Sequence, residues 1–300
     1  MAPMTRAATR RDKSARYGSE WLRRTGSQFT LYLVLTVLAI VFLLPMYWML
    51  NISLQPEGNL RLSRWYPNPP DFTNYPEALN QKSFPFLRLL ANSLTYALGS
   101  TVGILFSCSM VGYSFARLRW PGRNLLFIIT LSTMMIPGTV TLIPTFLVFR
   151  WLGWTGSMLP LIVPGFFGSP FNIFLLRQFF MTIPNELSEA AIVDGASHWT
   201  ILLRVVVPLA KPALAVVALF TMMWAWNEYL EPLIYINDPQ LFPIALGLQN
   251  MRASYTNVTR TLVWPYLMAA STATILPALV LFFFTQRTFI EGITVTGIKG

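Results

Sequence analysis

The chain has 300 residues, 54% of them apolar and only 11% charged, under half the charged share of an ordinary soluble domain. That composition points to a polytopic membrane protein, in which a net charge of +10 reports orientation and contact with anionic lipid rather than nucleic acid. A single cysteine, Cys108, excludes an intrachain disulfide and a Cys-rich metal site, and a single histidine, His198, excludes a His-based zinc site and a triad drawn from several histidines.

Met1 to Gln28 is a basic, polar tail (Arg6, Arg10, Arg11, Lys13, Arg16, Arg23, Arg24) with no apolar pattern, expected to be poorly ordered. Phe29 to Leu50 follows without a charge and is long enough to cross the roughly 30 Å hydrocarbon layer. It lacks the short apolar core and small-residue cleavage site of a signal peptide, so it is expected to stay as the first span. Asn51 to Ala91 is a Pro-rich polar excursion that reads as a folded loop. Asn92 to Phe115 is the second span, Arg117 to Arg123 a basic turn, and Asn124 to Phe149 a third span interrupted by Pro137-Gly138 and Pro144. Met158 to Leu176 is the fourth, carrying Pro160, Pro164 and Pro170. After a polar loop over residues 181–212, Ala213 to Ile236 is the fifth span. Asn237 to Pro265 is a second polar excursion, Tyr266 to Phe284 the sixth span, and Thr285 to Gly300 a closing tail. There is no solenoid-type repeat. The prolines within spans read either as broken helices beside a pathway or as kinks absorbed by packing.

The loop between the fourth and fifth spans reads as helix, turn, helix. Pro184 suits a first helical position, and Glu186 and Glu189 sit where the helix dipole favours negative charge. Gly195 can take the left-handed conformation that closes such a helix, and Ser197 can cap a second one running through Val207 and ended by Pro208. Ala190 and Ala191 leave one side nearly without bulk, as a docking element would. An amphipathic helix resting on the membrane would carry Lys and Arg on its polar face, whereas Pro184 to Ser197 carries acids only.

If the N-terminus is cytoplasmic, the tail, the Arg117–Arg123 turn, this loop and the C-terminus share that side. They hold 15 of the 22 basic residues, an excess that favours the assignment. The docking element then faces the cytoplasm.

Glu189-Ala190-Ala191, three residues, Gly195, nine residues and Val205-Val206-Val207-Pro208 together resemble the signature loop of ABC importer permeases, with Val where Ile and Leu are more usual. Thr133 to Gly138, Phe174 to Phe180, Trp224 to Glu228 and Glu291 to Gly300 look like the carbohydrate branch, specifically the smaller membrane subunit of maltose-type importers. The similarity runs from about Phe29 to Gly300. It implies an all-α membrane protein of the type I ABC importer permease fold: six transmembrane helices with a cytoplasmic coupling-helix loop. Glu189, Ala190, Ala191, Asp194, Gly195 and Ala196 would dock on an ATPase. The implied partners are a second, unlike permease subunit, an ATP-binding cassette dimer and an extracytoplasmic sugar-binding protein. The binding protein would be met by the excursion before the last span, with Asn250, Met251, Arg252 and Tyr255 as candidate contacts. The Glu291–Lys299 region would approach the ATPases. The implied location is the cell inner membrane, multi-pass, with both termini cytoplasmic.

The chain is expected to hold no cofactor and to hydrolyse nothing itself. Gly292-x4-Gly297-Ile298-Lys299 superficially resembles a phosphate-binding loop, but no Ser or Thr follows a Gly-Lys pair, so ATP and Mg would sit on the partner. In the fifth span, Trp224, Asn227, Glu228 and Glu231 are spaced to share one helical face. Ionisable groups at that depth mark a functional-site candidate, and aromatic, amide and carboxyl groups together suit a sugar. Alternatively, Asn227 and Glu228 fix helix packing. Two other transport readings stay open, an ion-coupled secondary transporter and an ABC importer of a non-sugar solute. A membrane-embedded enzyme lacks a clustered His/Asp/Glu set.

Overall fold

The computed structural model describes residues 6–56, 65–82, 84–258 and 264–297, with side chains for 28–56, 65–82, 84–254 and 264–283. Among these residues the chain is helical and has no strands. Helix α1 spans Arg6–Ser53, so the helix reaches back through the basic segment expected to lack order. Its apolar stretch is solvent-exposed on nearly every side, as a surface bathed in lipid would be, and it packs along the last helix.

Helix α2 (Asn74–Leu79) lies in the first polar excursion. The Asn74 amide donates to the carbonyls of Ser53, Gln55 and Asp71 at 2.9, 2.9 and 3.3 Å, closing the excursion onto the end of α1. Helix α3 (Phe86–Arg117) is the axis of the molecule, in contact with most later elements. It begins six residues before the second span expected from the sequence, and Asn92 and Ser93 near its start face protein rather than lipid. Asn92 donates to the carbonyls of Gln240 and Phe242 at 2.7 and 3.0 Å, and the Ser93 hydroxyl accepts the Ile244 N–H at 2.7 Å. The second polar excursion is thereby locked to the first turns of α3.

Helices α4 (Arg123–Ser132) and α5 (Gly138–Trp151) are bent by 101° at Pro137, with Ile136 held extended as the residue before a proline prefers. Pro144 stays inside α5 without breaking it. The fourth span is α6 (Leu159–Ile162), a 3-10 turn over Val163–Phe167, and α7 (Pro170–Thr182). Pro164, Gly168 and Pro170 disrupt the regular bonding there, and α3 replaces it. Ser107 donates to the Gly165 carbonyl at 2.8 Å and Ser100 to the Leu161 carbonyl at 3.1 Å. The approach is possible because residue 103 is glycine: a Cβ there would stand 2.7 Å from the Phe166 ring.

Helices α8 (Asn185–Val193), α9 (His198–Ile201) and α10 (Val207–Leu209) form the loop after α7, and α11 (Lys211–Asn227) follows after an 81° bend. Helix α12 (Leu230–Tyr235) is separate from α11, α13 (Ile244–Val258) lies in the second excursion, and α14 (Trp264–Gly297) carries Pro277 internally. Among the described residues, four helices are long and apolar enough to cross a membrane, and up to six if each bent pair counts as one span.

Candidate functional site

The loop region is built as the local chemistry dictates, with corrections. Pro184 caps α8 from outside in extended backbone instead of opening it, and Glu186 occupies the first turn. The helix closes with the Ala196 N–H on the Ala191 carbonyl at 2.9 Å and the Gly195 N–H on the Ile192 carbonyl at 3.0 Å, around Gly195 at φ +80°. Ser197 is extended and its hydroxyl accepts the Thr200 N–H at 3.3 Å. The second helix does not end at Val207. Its bonding switches to a π register over Leu202–Val206 and it runs on to Leu209. Pro208 has no N–H and would clash with the carbonyl four residues back, so the wider turn accommodates the ring.

Glu189, Ala190, Asp194 and Gly195 are exposed, whereas Ala191 and Ala196 are half-buried and pack inward on a cluster containing Phe180, Leu176 and Val206. The bulk-free face expected of Ala190 and Ala191 is therefore divided: Ala191 makes room for the bundle and only Ala190 faces outward. The outward surface combines acids with exposed apolar groups, notably Val193 at 87% exposure and Trp199 at 55%. Sequence reading missed how the loop is held, because Arg117 registered only as a positive charge. Its guanidinium donates to the Phe180 carbonyl at 2.6 Å, to the Ile183 carbonyl and to Asn185 Oδ1. One turn earlier, the Tyr113 hydroxyl meets His198 Nδ1 at 3.4 Å. Helix α3 thus grips both halves of the loop, and His198 is an exposed contact there.

The fifth-span set does not share a face. Helix α11 ends at Asn227 and Glu228 is extended. Continuing the helix would press the ring of Pro232 toward the carbonyl of Glu228, which disfavours it. Glu228 Oε1 instead accepts the N–H groups of Leu230 and Glu231 at 2.8 and 3.2 Å, capping α12, while Asn227 donates to the Met223 carbonyl at 2.7 Å. Both do local structural work. Trp224 and Glu231 line a cavity of about 490 Å³ bounded by α3, α5, the broken fourth span, α11 and α12. It recruits Asn172, Thr221 and Tyr235, none of which the sequence reading selected.

In the second excursion, Asn250 and Arg252 are exposed, but Met251 is fully buried against Phe84, Leu89 and Ile244 and packs instead of presenting a contact. The side chain of Tyr255 lies outside the described residues, as do the side chains of Glu291–Lys299. Among the described residues, no group of His, Cys, Asp and Glu could hold a metal.

A family model described as the binding-protein-dependent transport system inner membrane component matches residues 99–294. The chain is 33% identical over 293 residues to the arabinooligosaccharides transport system permease protein AraQ of Bacillus subtilis (strain 168), covering 92% of this chain and 99% of that protein. It is 38% identical over 213 residues to the sn-glycerol-3-phosphate transport system permease protein UgpE of Pectobacterium atrosepticum, covering 70% and 73%. A crystal structure of a bacterial ABC transporter involved in import of the acidic polysaccharide alginate has a chain that superposes with a TM-score of 0.77 at 25% identity, covering 87% of this chain and 95% of that one.

Proposed function

Because this chain belongs to the family of binding-protein-dependent transport system inner membrane components, we propose that it is the transmembrane permease subunit of an ATP-driven importer that brings a carbohydrate into the cytoplasm by alternating access. The observation that carries this is the α8–α9 elbow: exposed acids and apolar side chains on a short helix, fastened to α3 by Arg117.

A separate ATPase dimer, holding ATP and Mg, grips that elbow from the cytoplasm. Closure of the dimer displaces α8, and the ties from Arg117 and Tyr113 pass the displacement to α3. Because α3 packs on the broken fourth span and on α11, the helices move together between inward- and outward-facing states. Two such states, with a ligand that binds them unequally, are the minimum for transport. A second permease subunit completes the pathway, and an extracytoplasmic binding protein delivers the solute to the side bearing α2 and α13. The N- and C-termini lie in the cytoplasm, on the side with the basic excess. Carbohydrate is the favoured solute because permeases for arabinooligosaccharides and a neighbour that imports alginate are among the relatives.

The test is uptake in proteoliposomes holding the chain with its copurifying subunits. Carbohydrate uptake that requires ATP and the ATPase is expected. Uptake on a proton or sodium gradient without ATP would overturn the proposal in favour of a secondary transporter.

A further inference from the structure

We propose that the 490 Å³ cavity behind the broken fourth span is a binding site in this subunit for a neutral, polyhydroxylated solute, and that it disfavours anionic ones. The inference rests on the importer reading and adds a site and a substrate class to it.

Polar groups at the cavity without a side-chain hydrogen-bond partner among the described residues include the Asn172 amide, the Glu231 carboxyl and the Tyr235 hydroxyl. Asn172 is 8% exposed and Tyr235 4%, so both are more than nine-tenths buried, where unpaired polar groups are rare unless something else completes them. The aromatic walls include Phe149, which meets Tyr235 edge-on at 5.2 Å, Phe171, Phe220 and Trp224. An amide, a hydroxyl and a carboxyl between aromatic faces match a ligand with many hydroxyls on a compact carbon frame. The volume falls within the ordinary range for small-molecule sites.

Charge narrows the class. No Lys or Arg lines the cavity, and its one ionisable acid is Glu231. An anion taken out of water needs a paired cation, and here it would meet a carboxyl instead. Sugar phosphates and uronates are therefore poor occupants and neutral sugars or polyols good ones. The break in the fourth span has a use on this view: α6 and α7 separate around the 3-10 turn, and the space opened is the cavity.

The experiment uses the intact transporter, with its partner permease, ATPase and binding protein, in proteoliposomes. Three labelled probes are offered: a neutral arabinooligosaccharide, an alginate oligosaccharide and sn-glycerol 3-phosphate. ATP-dependent uptake of the neutral probe is expected. Tyr235→Phe and Asn172→Leu should each lower its maximal rate about tenfold, the factor for one ordinary hydrogen bond. Assembly and the half-saturating concentration of binding protein should not change. Variant rates within about twofold of the parent, or uptake of an anionic probe as fast as the neutral one, would overturn this inference while leaving carbohydrate import standing. Absence of ATP-dependent uptake for every carbohydrate would instead overturn the importer reading itself.

Discussion

Arg117 donates a hydrogen bond from Nη2 to the carbonyl of Phe180 at 2.6 Å, joining the last turn of α3 to the last turn of α7 across 63 residues of sequence. The same guanidinium reaches Ile183 and Asn185, the residues that lead into α8. Three acceptors from one planar fork fix the entry angle of the loop, which a lysine's point charge could not do.

Arg117→Lys should therefore keep membrane insertion but loosen the loop, and Arg117→Ala should do so more severely. Each charged hydrogen bond lost is worth about 1.5–3 kcal/mol, so the transport rate per ATP hydrolysed should drop at least about tenfold in the alanine variant. Parallel measurement of uptake and hydrolysis checks this. An unchanged ratio of the two would show that the fork is not part of the coupling path.

Gly195 sits at φ +80° with nothing within reach of an added Cβ, so a substitution there suffers backbone strain without a clash. An L-residue in that region costs roughly 1–2 kcal/mol, and a β-branched one more. Gly195→Val should leave insertion intact while separating hydrolysis from transport, and Gly195→Asn should behave much closer to the parent. Equal, normal uptake by both variants would refute a need for the left-handed turn.

Gly103 faces the opposite constraint. A Cβ would lie 2.7 and 2.9 Å from Phe166 ring atoms and 3.0 Å from the Gly165 backbone. Gly103→Ala should destabilise by about 1–3 kcal/mol through overpacking, and Gly103→Leu should push α3 away from the fourth span and prevent assembly. Thermal melting of the purified complex gives the first number, and size-exclusion recovery the second.

Glu228 offers a test between capping and substrate contact. Its Oε1 holds the first N–H groups of α12, so Glu228→Gln, which keeps an acceptor, should behave like the parent. Glu228→Ala should cost roughly 1 kcal/mol of stability, as other lost caps do. If both variants abolish uptake with unchanged melting, the residue touches substrate instead.

Much of this was legible in the sequence wherever one residue's covalent chemistry decides the backbone. Gly195 and Ser197 set the turn and the cap, and the bend at Pro137 follows from a ring that fixes φ. The break after Asn227 had a signal in Pro232, whose ring disfavours a helix continued through Glu228, but prolines also sit inside α5 and α14 and the apolar run concealed it. Apolar length marks where lipid lies and not where helices end, so it missed the start of α3, whose polar Asn92 and Ser93 are satisfied by residues 150 positions away. The grip of Arg117 and the placement of Asn172 and Tyr235 on one cavity arise from packing between distant segments, and no local pattern signals them. Met251 shows the same limit: its place in the excursion suggested a contact, and its apolar side chain went inside.

An ATPase-driven permease requires that the elbow at Val193 face the cytoplasm and carry the ATPase. Val193→Cys puts a reactive thiol at an 87% exposed position in a chain whose one native cysteine, Cys108, is buried. In the assembled transporter this thiol should cross-link to the ATPase subunit, with a yield that changes on ATP binding. Labelling of the same thiol from outside intact cells by a membrane-impermeant reagent, with no cross-link to the ATPase, would contradict the claim.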